Sequence, residues 1–297
     1  GAIPSLLLVI AIALLMVHAA PGGQFDSARA LPPEIEEIVR QAYNLDDPLP
    51  LQFVRYLDGL WRGDLGPSYR YRDYTVAELI GAALPLSMWL GAIALLLAVA
   101  AGVSAGLIAA LKKNTLLDRL VSGVAMIGIS VPIFVIAPLM VLVFAVVLGW
   151  LPASWAGSSG PGRLLLPVIA LALPQIAYIA RLTRASMINV MSSDFVRTAR
   201  AQGLSTLSIV RYHALKPAML PLLSYMGPAI AGILTGSVVV EQVFGIPGVG
   251  SLFIRQALNR DYTVVLGITV FYASLVILLN LLVDLLYGFL DPRIRDR

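Results

Sequence analysis

Chemically capable side chains are scarce in this sequence, and the scarcity is informative. There is no cysteine, which excludes a disulfide framework and a thiolate metal site. The two histidines, His18 and His213, lie too far apart along the chain to suggest a zinc site by themselves. No Gly-x-x-x-x-Gly-Lys-Ser/Thr loop is present, so the chain lacks a phosphate cradle for ATP. Serines occur inside apolar stretches, but no histidine, aspartate or lysine shares their depth, and a serine nucleophile would have no base. The expectation is a chain with no catalytic residue and no bound metal.

Two groups of residues remain. The first runs Asp194-Phe195-Val196-Arg197-Thr198-Ala199-Arg200-Ala201-Gln202-Gly203-Leu204-Ser205, preceded by Met187, Val190 and Met191 at helical spacing. Gly203 suits the left-handed position that ends a helix, and Ser205 suits the N-cap of a second short helix through about His213. The expected product is a compact helix–turn–helix knob. Its outer side combines Arg197, Arg200 and Arg211 with Phe195, Val196 and Leu204. Such a surface suits docking into a groove of another protein. It suits equally a solvated loop whose arginines meet anionic lipid. The second group, Ser224, Tyr225, Thr235 and Ser237, is scattered through an apolar stretch that ends at Glu241 and Gln242. It reads as a weakly polar path with Glu241 at its outer mouth, suited to a substrate that needs scattered hydrogen-bond partners.

The elements that position these groups follow from composition. The chain is 59% hydrophobic and 13% charged, whereas a soluble domain is about a quarter charged. The charges fall between long apolar runs and form no basic stripe, which argues against nucleic acid. A membrane helix needs about 20 mostly apolar residues. Six stretches qualify: 3–20, about 84–111, about 120–150, 164–180, about 222–240 and about 264–290. Backbone groups find no partners in lipid, so these must be helices. Pro132 and Pro138 in the third stretch and Pro167 and Pro174 in the fourth are read as kinks or gating points. The pairs Gly102/Gly106 and Gly232/Gly236 allow close helix approach, either within the subunit or at a seam with a second one. For the first stretch a cleavable signal peptide competes, because Val17-His18-Ala19 resembles a cleavage site. No basic segment precedes it, and the expectation is a true helix following a cytoplasmic leader.

Six spans put both termini on one side. That side carries Lys112, Lys113 and Arg119, then Arg181, Arg184, Arg197, Arg200, Arg211 and Lys216, then Arg293, Arg295 and Arg297. The short loops opposite carry only Arg163, Arg255 and Arg260. Positive-inside therefore places both termini in the cytoplasm. The segment 21–83 becomes a polar external insert, residues 84–297 a membrane core, and about 186–221 a cytoplasmic loop. In the insert, Pro32-Pro33-Glu34-Ile35-Glu36-Glu37 reads as a helix start. Trp61, Tyr69, Tyr71 and Tyr74 read as an interfacial aromatic belt, with a partner surface as the alternative. In the loop 241–262, Ser251 is expected to open an amphipathic helix whose Leu252, Phe253, Gln256 and Ala257 lie in the membrane interface, with docking of another protein as the alternative.

The 197–216 stretch resembles the coupling loop of bacterial ABC importer permeases, whose motif is Glu-Ala-Ala, three residues, Gly, nine residues, Ile-x-Leu-Pro. Ala199 matches the second alanine, Gly203 the glycine and Leu215 the leucine. Arg197, Thr198, His213 and Lys216 replace the acid, first alanine, isoleucine and proline. These departures are themselves similar to the peptide-importer branch. So are Ala20-Pro21-Gly22-Gly23, Leu45-Asp46-Asp47-Pro48-Leu49, Gly63-Asp64-Leu65-Gly66-Pro67-Ser68, Gly245-Ile246-Pro247-Gly248-Val249-Gly250, Asn259-Arg260-Asp261-Tyr262, Asp284-Leu285-Leu286-Tyr287 and Asp291-Pro292-Arg293. The Phe25-Asp26-Ser27 to Leu31-Pro32-Pro33 wording looks most like the oligopeptide subunit of B type, with dipeptide or nickel subunits as alternatives.

The resemblance implies an all-α permease of type I importer architecture in the bacterial inner membrane. It also implies a second homologous permease subunit, two ABC ATPases that hold the ATP and Mg, an extracytoplasmic substrate-binding protein and a peptide substrate. The coupling contact would fall on Arg197, Thr198, Ala199, Arg200, Gly203, Leu204 and Leu215. An ion-coupled secondary transporter would instead need an ionisable group deep in a span. Only His18, Glu241 and Asp284 come close, and all lie near span ends.

Overall fold

A computed structural model describes residues 2–19, 47–68, 70–71, 73–156 and 159–290, apart from the side chains of 161, 284 and 286–290. The expected helix start at Pro32–Glu37 lies outside the described residues. So do the Ala20–Gly23, Phe25–Pro33 and Asp291–Arg293 wordings, Leu45, Asp46, Tyr69 and the side chain of Asp284. Among the described residues the chain is helical: α1 Ala2–Ala19, α2 Leu49–Trp61, α3 Val76–Leu111, α4 Leu116–Ser130, α5 Ile133–Val147, α6 Leu165–Met191, α7 Asp194–Ala201, α8 Thr206–Phe244, α9 Val249–Leu258 and α10 Tyr262–Leu290. An isolated antiparallel bridge pairs Pro67 with Thr75.

Five helices are long and apolar enough to cross a membrane: α1, α3, the segment ending in α6, α8 and α10. The third expected span is not one long helix. It is α4 and α5, bent by 106° at a break between them. Pro132 explains the break. It cannot donate an N–H, and its ring forces the preceding Val131 out of the helical region to φ −87°, ψ 121°. The pair is one broken span or a re-entrant loop, so the span total is five or six.

Helix boundaries differ from the expected ones for local reasons. The second span begins at Val76, not near Leu84. Thr75 and Glu78 form a capping box there. The Glu78 carboxylate accepts from the Thr75 N–H at 2.8 Å, and the Thr75 hydroxyl accepts from the Glu78 N–H at 3.2 Å. The Thr-x-x-Glu spelling carries that signal in the sequence. Thr75→Ala is expected to cost about 1 kcal/mol of helix stability, read as a lower thermal midpoint in detergent.

The chain divides into two compact units, residues 1–87 with 247–277 and residues 88–246 with 278–297. In the first, Val76, Ile80, Ala83, Val249, Leu252, Val264 and Ile268 form one apolar core. A second joins Ile10 and Leu14 of α1 to Leu266 and Val270 of α10, with Tyr56 and Leu60 of α2 packed on it. Three of the wordings that carried the resemblance hold this unit together. The Ser68 hydroxyl donates to the Asp261 carboxylate at 2.5 Å and accepts from the Tyr71 N–H at 3.0 Å. The Val249 N–H at the start of α9 donates to the Ser87 hydroxyl at 2.9 Å. Helix α9 opens at Val249, not at Ser251. Of the residues expected in the membrane interface, Leu252 and Gln256 are buried within the chain instead, as is Ser251, while Phe253 is half-buried and Ala257 exposed. The outward side of α9 carries Arg255, Ala257 and Leu258, and Leu258 is 77% exposed. Trp61, Tyr71 and Tyr74 remain exposed.

The second unit is built on α6. Its residues Leu166, Ala170, Leu171, Ala177, Ile179, Ala180 and Met187 are buried. Small residues let neighbouring helices approach it. A Cβ on Gly102 of α3 would lie 2.8 Å from Ile179, and one on Gly106 would strike the Ala180 carbonyl oxygen. One on Gly128 of α4 would lie 2.9 Å from Ala177. One on Gly236 of α8 would lie 3.1 Å from both Ile133 and Leu171. The Gly102/Gly106 pair therefore serves packing within the subunit. Gly106→Ala is expected to cost about 1–3 kcal/mol through overpacking against rigid backbone, visible as reduced thermal stability of the purified protein. Gly123→Ala, where the new methyl meets nothing within 4 Å, should cost far less.

Candidate coupling knob and membrane path

The knob forms because three local signals agree. Asp194 at the start of α7 favours the positive end of the helix dipole. At the other end the Gly203 N–H donates to the Arg200 carbonyl at 2.9 Å and the Leu204 N–H to the Ala199 carbonyl at 3.2 Å. This double closure needs a left-handed residue, and Gly203 has φ +83°. Ser205 then caps α8, its hydroxyl accepting from the Ser208 N–H at 3.3 Å. Val196, Ala199 and Ile209 are buried together, with Met191 against them. This small core fixes α7 on the first turns of α8.

The expected site residues take these places. Arg197 is exposed and pairs with Asp194 at 3.3 Å. Thr198 is exposed, and its hydroxyl donates to the Asp194 carbonyl at 3.1 Å. Ala199 is buried under α8, which explains a small residue there. Arg200, Gly203 and Leu204 are exposed at the turn. Val196, expected on the outer side, is buried instead. Leu215 is half-buried in α8, beyond a π-helical turn over Val210–Ala214. The second helix does not stop near His213. It runs unbroken from Thr206 to Phe244, 39 residues. Charged Arg211 and Lys216 end the apolar window but not the helix, since neither residue type breaks one. Leu207 and Tyr212, 77% and 69% exposed, complete the knob's outer face, and no motif in the sequence marks them.

Below the knob, Met187, Val210, Ala214 and Ala218 are buried together against Leu107 and Ala110 of α3. Arg184 of α6 grips Asp118 of α4 with a two-pronged ion pair, Nε to Oδ1 at 2.5 Å and Nη2 to Oδ2 at 2.8 Å. Asp118 is 3% exposed, and its carboxylate also accepts from the Asn114 N–H at 2.9 Å. No motif flags this pair, because its partners are far apart in sequence.

The candidate path residues divide by face. Ser224 and Thr235 lie on the exposed side of α8 with Pro221, Pro228 and Gly232. Tyr225 is half-buried at its edge. Ser237 and Glu241 are buried, at 2% and 0% exposure, so the exposed face does not carry them. Each proline on that face removes a backbone donor. The Ser224 and Thr235 hydroxyls donate back to the Leu220 and Ala231 carbonyls at 3.5 and 2.9 Å. The face is polar without charge, as a wet or partner-covered surface in a membrane must be, because bare polar groups in lipid are costly.

Five helices long and apolar enough to cross a membrane, or six spans if the bent pair is one, are what a multi-pass membrane protein needs. Residues 102–296 match the family model described as the binding-protein-dependent transport system inner membrane component. The chain belongs to this family. It is 52% identical to the oligopeptide transport system permease protein OppB of Salmonella typhimurium, over 99% of this chain and 96% of that protein. It is 40% identical to the dipeptide transport system permease protein DppB of Bacillus subtilis, over 98% and 94% respectively. Among solved structures, an amino acid ABC transporter superposes with a TM-score of 0.50 over 73% of this chain and 94% of that one, at 22% identity. That likeness concerns the fold. As a member of this family the chain is a multi-pass membrane component of a transport system and not an enzyme.

Proposed function

We propose that this chain is the membrane-spanning subunit of an ATP-driven importer that carries oligopeptides into the cytoplasm, and that its knob is the contact with the motor. One observation carries the reading. The outer turns of the knob, from Thr206, and the polar face of α8 belong to a single helix of 39 residues, about 58 Å of continuous rod. A force applied at Leu207 is delivered along that helix towards Ser224 and Thr235, and one applied at Arg197 or Arg200 on α7 reaches it through the Val196–Ala199–Ile209 core. The half-buried Leu215 lies on the same rod, between contact and path. The names of the relatives supply the cargo, and this chain's 52% identity to an oligopeptide permease against 40% to a dipeptide permease favours oligopeptides over dipeptides.

In this reading two ATPase subunits sit in the cytoplasm and hold the ATP and Mg. Their closure pushes the knob of this chain and that of a second, homologous permease. The two bundles rock, and the path opens alternately to each side. A binding protein delivers peptide from outside, where the 21–83 insert faces it. Both termini then lie in the cytoplasm, in keeping with the basic residues around the knob. The test is coexpression with candidate partners and purification through a tag on this chain. A second permease and two ATPases should copurify and hydrolyse ATP faster when peptide-loaded binding protein is added. Purification of this chain alone, with uptake driven by an ion gradient, would contradict the reading.

A further inference from the structure

On the second unit, at the half-exposed edge between α6 and α8, lies a polar cluster with no part in the coupling contact. Tyr178 of α6 stacks on Tyr225 of α8, ring centroids 4.1 Å apart and planes 18° from parallel. The Tyr225 hydroxyl donates to the Gln175 side-chain oxygen at 2.8 Å. The Gln175 amide nitrogen lies over Gly232, where a Cβ would come within 2.6 Å of it. Gly232 is therefore small so that the amide can lie flat on α8. That nitrogen makes no hydrogen bond of its own among the described residues. Gln175 sits ten residues into α6, whose first residue is Leu165, about 15 Å along its axis, and a hydrocarbon core is about 30 Å thick. A free amide donor at mid-depth is costly against lipid tails.

The surroundings say what covers it. Tyr178 is 43% exposed and heads a polar stripe on α6 that continues through Arg181 and Asn189, both exposed. Beside it, Pro228 has no N–H to give the Ser224 carbonyl, and both residues lie on the exposed face of α8. The patch thus offers a donor amide, a backbone acceptor and an aromatic face. A peptide main chain brings one donor and one acceptor per residue, and an aromatic face accepts side chains of many kinds.

We propose that Gln175, Tyr178 and Tyr225 form a station for the moving peptide, in which the Gln175 amide holds main-chain carbonyls and the Tyr178 ring supports passing side chains. This rests on the oligopeptide reading and names the contact inside it. Recognition through the main chain leaves side-chain identity free, as a carrier of varied peptides requires.

The test uses the complete complex in proteoliposomes with its binding protein. Tyr178 is replaced by the photoreactive p-benzoylphenylalanine, of similar size, and radiolabelled tetra-alanine is the probe. Peptide should be captured at this position only when ATP and binding protein are both present. Separately, Gln175→Leu should slow tetra-alanine, tetra-lysine and tetra-glutamate by one common factor, about tenfold. Capture of only the partner permease or lipid would overturn the station, as would unchanged rates or losses that depend on side-chain charge. If the unaltered complex moves none of these peptides, the oligopeptide reading itself fails. If it moves them and position 178 captures none, the station alone is wrong.

Discussion

Replacing Gly203 by valine should separate ATP hydrolysis from transport. The physical cause is local and torsional. Gly203 has φ +83°, and a Cβ there would meet no atom within 4 Å, so the penalty comes from backbone conformation and not from crowding. A left-handed L-residue costs roughly 1–2 kcal/mol, and a β-branched one more. The helix end then prefers to abandon its double closure onto Arg200 and Ala199. With that closure gone, α7 is no longer aimed by its own terminus, although Val196 and Ala199 still hold it loosely on Ile209. The expected result is a complex that assembles and hydrolyses ATP but imports at least about tenfold less peptide per ATP, a loss of at least about 1.4 kcal/mol of coupling. The measurement is paired, with uptake and phosphate release taken in the same proteoliposomes. Gly63→Val is the control. Gly63 has φ +77° and equally open surroundings, so it carries a similar strain away from the knob and should leave the coupling ratio intact.

Breaking the Asp118–Arg184 pair should have the largest effect on stability. Asp118 is nearly buried, whereas the Arg184 side chain is 30% exposed. Removing one partner of a buried pair costs about 3–5 kcal/mol because the other charge is stranded, and the partial exposure of Arg184 places the effect near the lower end. Asp118→Ala should therefore destabilise by about 3 kcal/mol, with loss of folded protein on heating in detergent. Arg184→Ala should do similar damage, since among the described residues it leaves a carboxylate that only the Asn114 N–H and Ser122 hydroxyl still satisfy. The double variant should be less damaging than the two losses summed, because nothing charged is left unpaired. Additive losses would mean that the two side chains contribute separately and that the pair is not the latch. Since Arg184 lies one helical stretch before the knob, a destabilised α4–α6 contact should also lower transport in whatever protein survives.

Much of the architecture was legible because hydropathy speaks loudly in a membrane chain. Five expected spans correspond to five long apolar helices, and both caps of the knob's turn, Gly203 and Ser205, were readable from residue type and spacing. The boundaries were less readable. Arg181, Arg184, Arg211 and Lys216 mark where lipid ends, but helices continue past lipid into water, so α6 and α8 run on. The break at Pro132 was not readable from residue type alone. A proline can kink a helix or end it, and the extended Val131 that decides the matter depends on how α5 packs against α6 and α8.

The candidate site was legible where chemistry is local and hidden where it is not. Phe195 and Leu204 are exposed as expected, yet Val196, their neighbour, turns inward because α7 needs an apolar residue to sit on Ile209. On α8 the hydroxyls at Ser224 and Ser237 look alike in sequence. Their separation onto exposed and buried faces follows from which side α6 covers. The Asp118–Arg184 latch and the Gln175–Tyr225 bond join residues far apart in sequence, and no short pattern encodes either.

An ATP-hydrolysing neighbour that holds the knob can be sought directly, because this chain has no cysteine of its own. Leu207→Cys introduces a unique thiol at a position 77% exposed, outside the Val196–Ala199–Ile209 core. Membranes containing the assembled transporter would be treated with a short cross-linker that carries a maleimide at one end and a photoreactive group at the other, then illuminated with and without ATP. The expected product contains the ATPase subunit, in a yield that changes with nucleotide. A thiol that stays freely reactive in the intact transporter, or links only to lipid or to other permease chains, would contradict it.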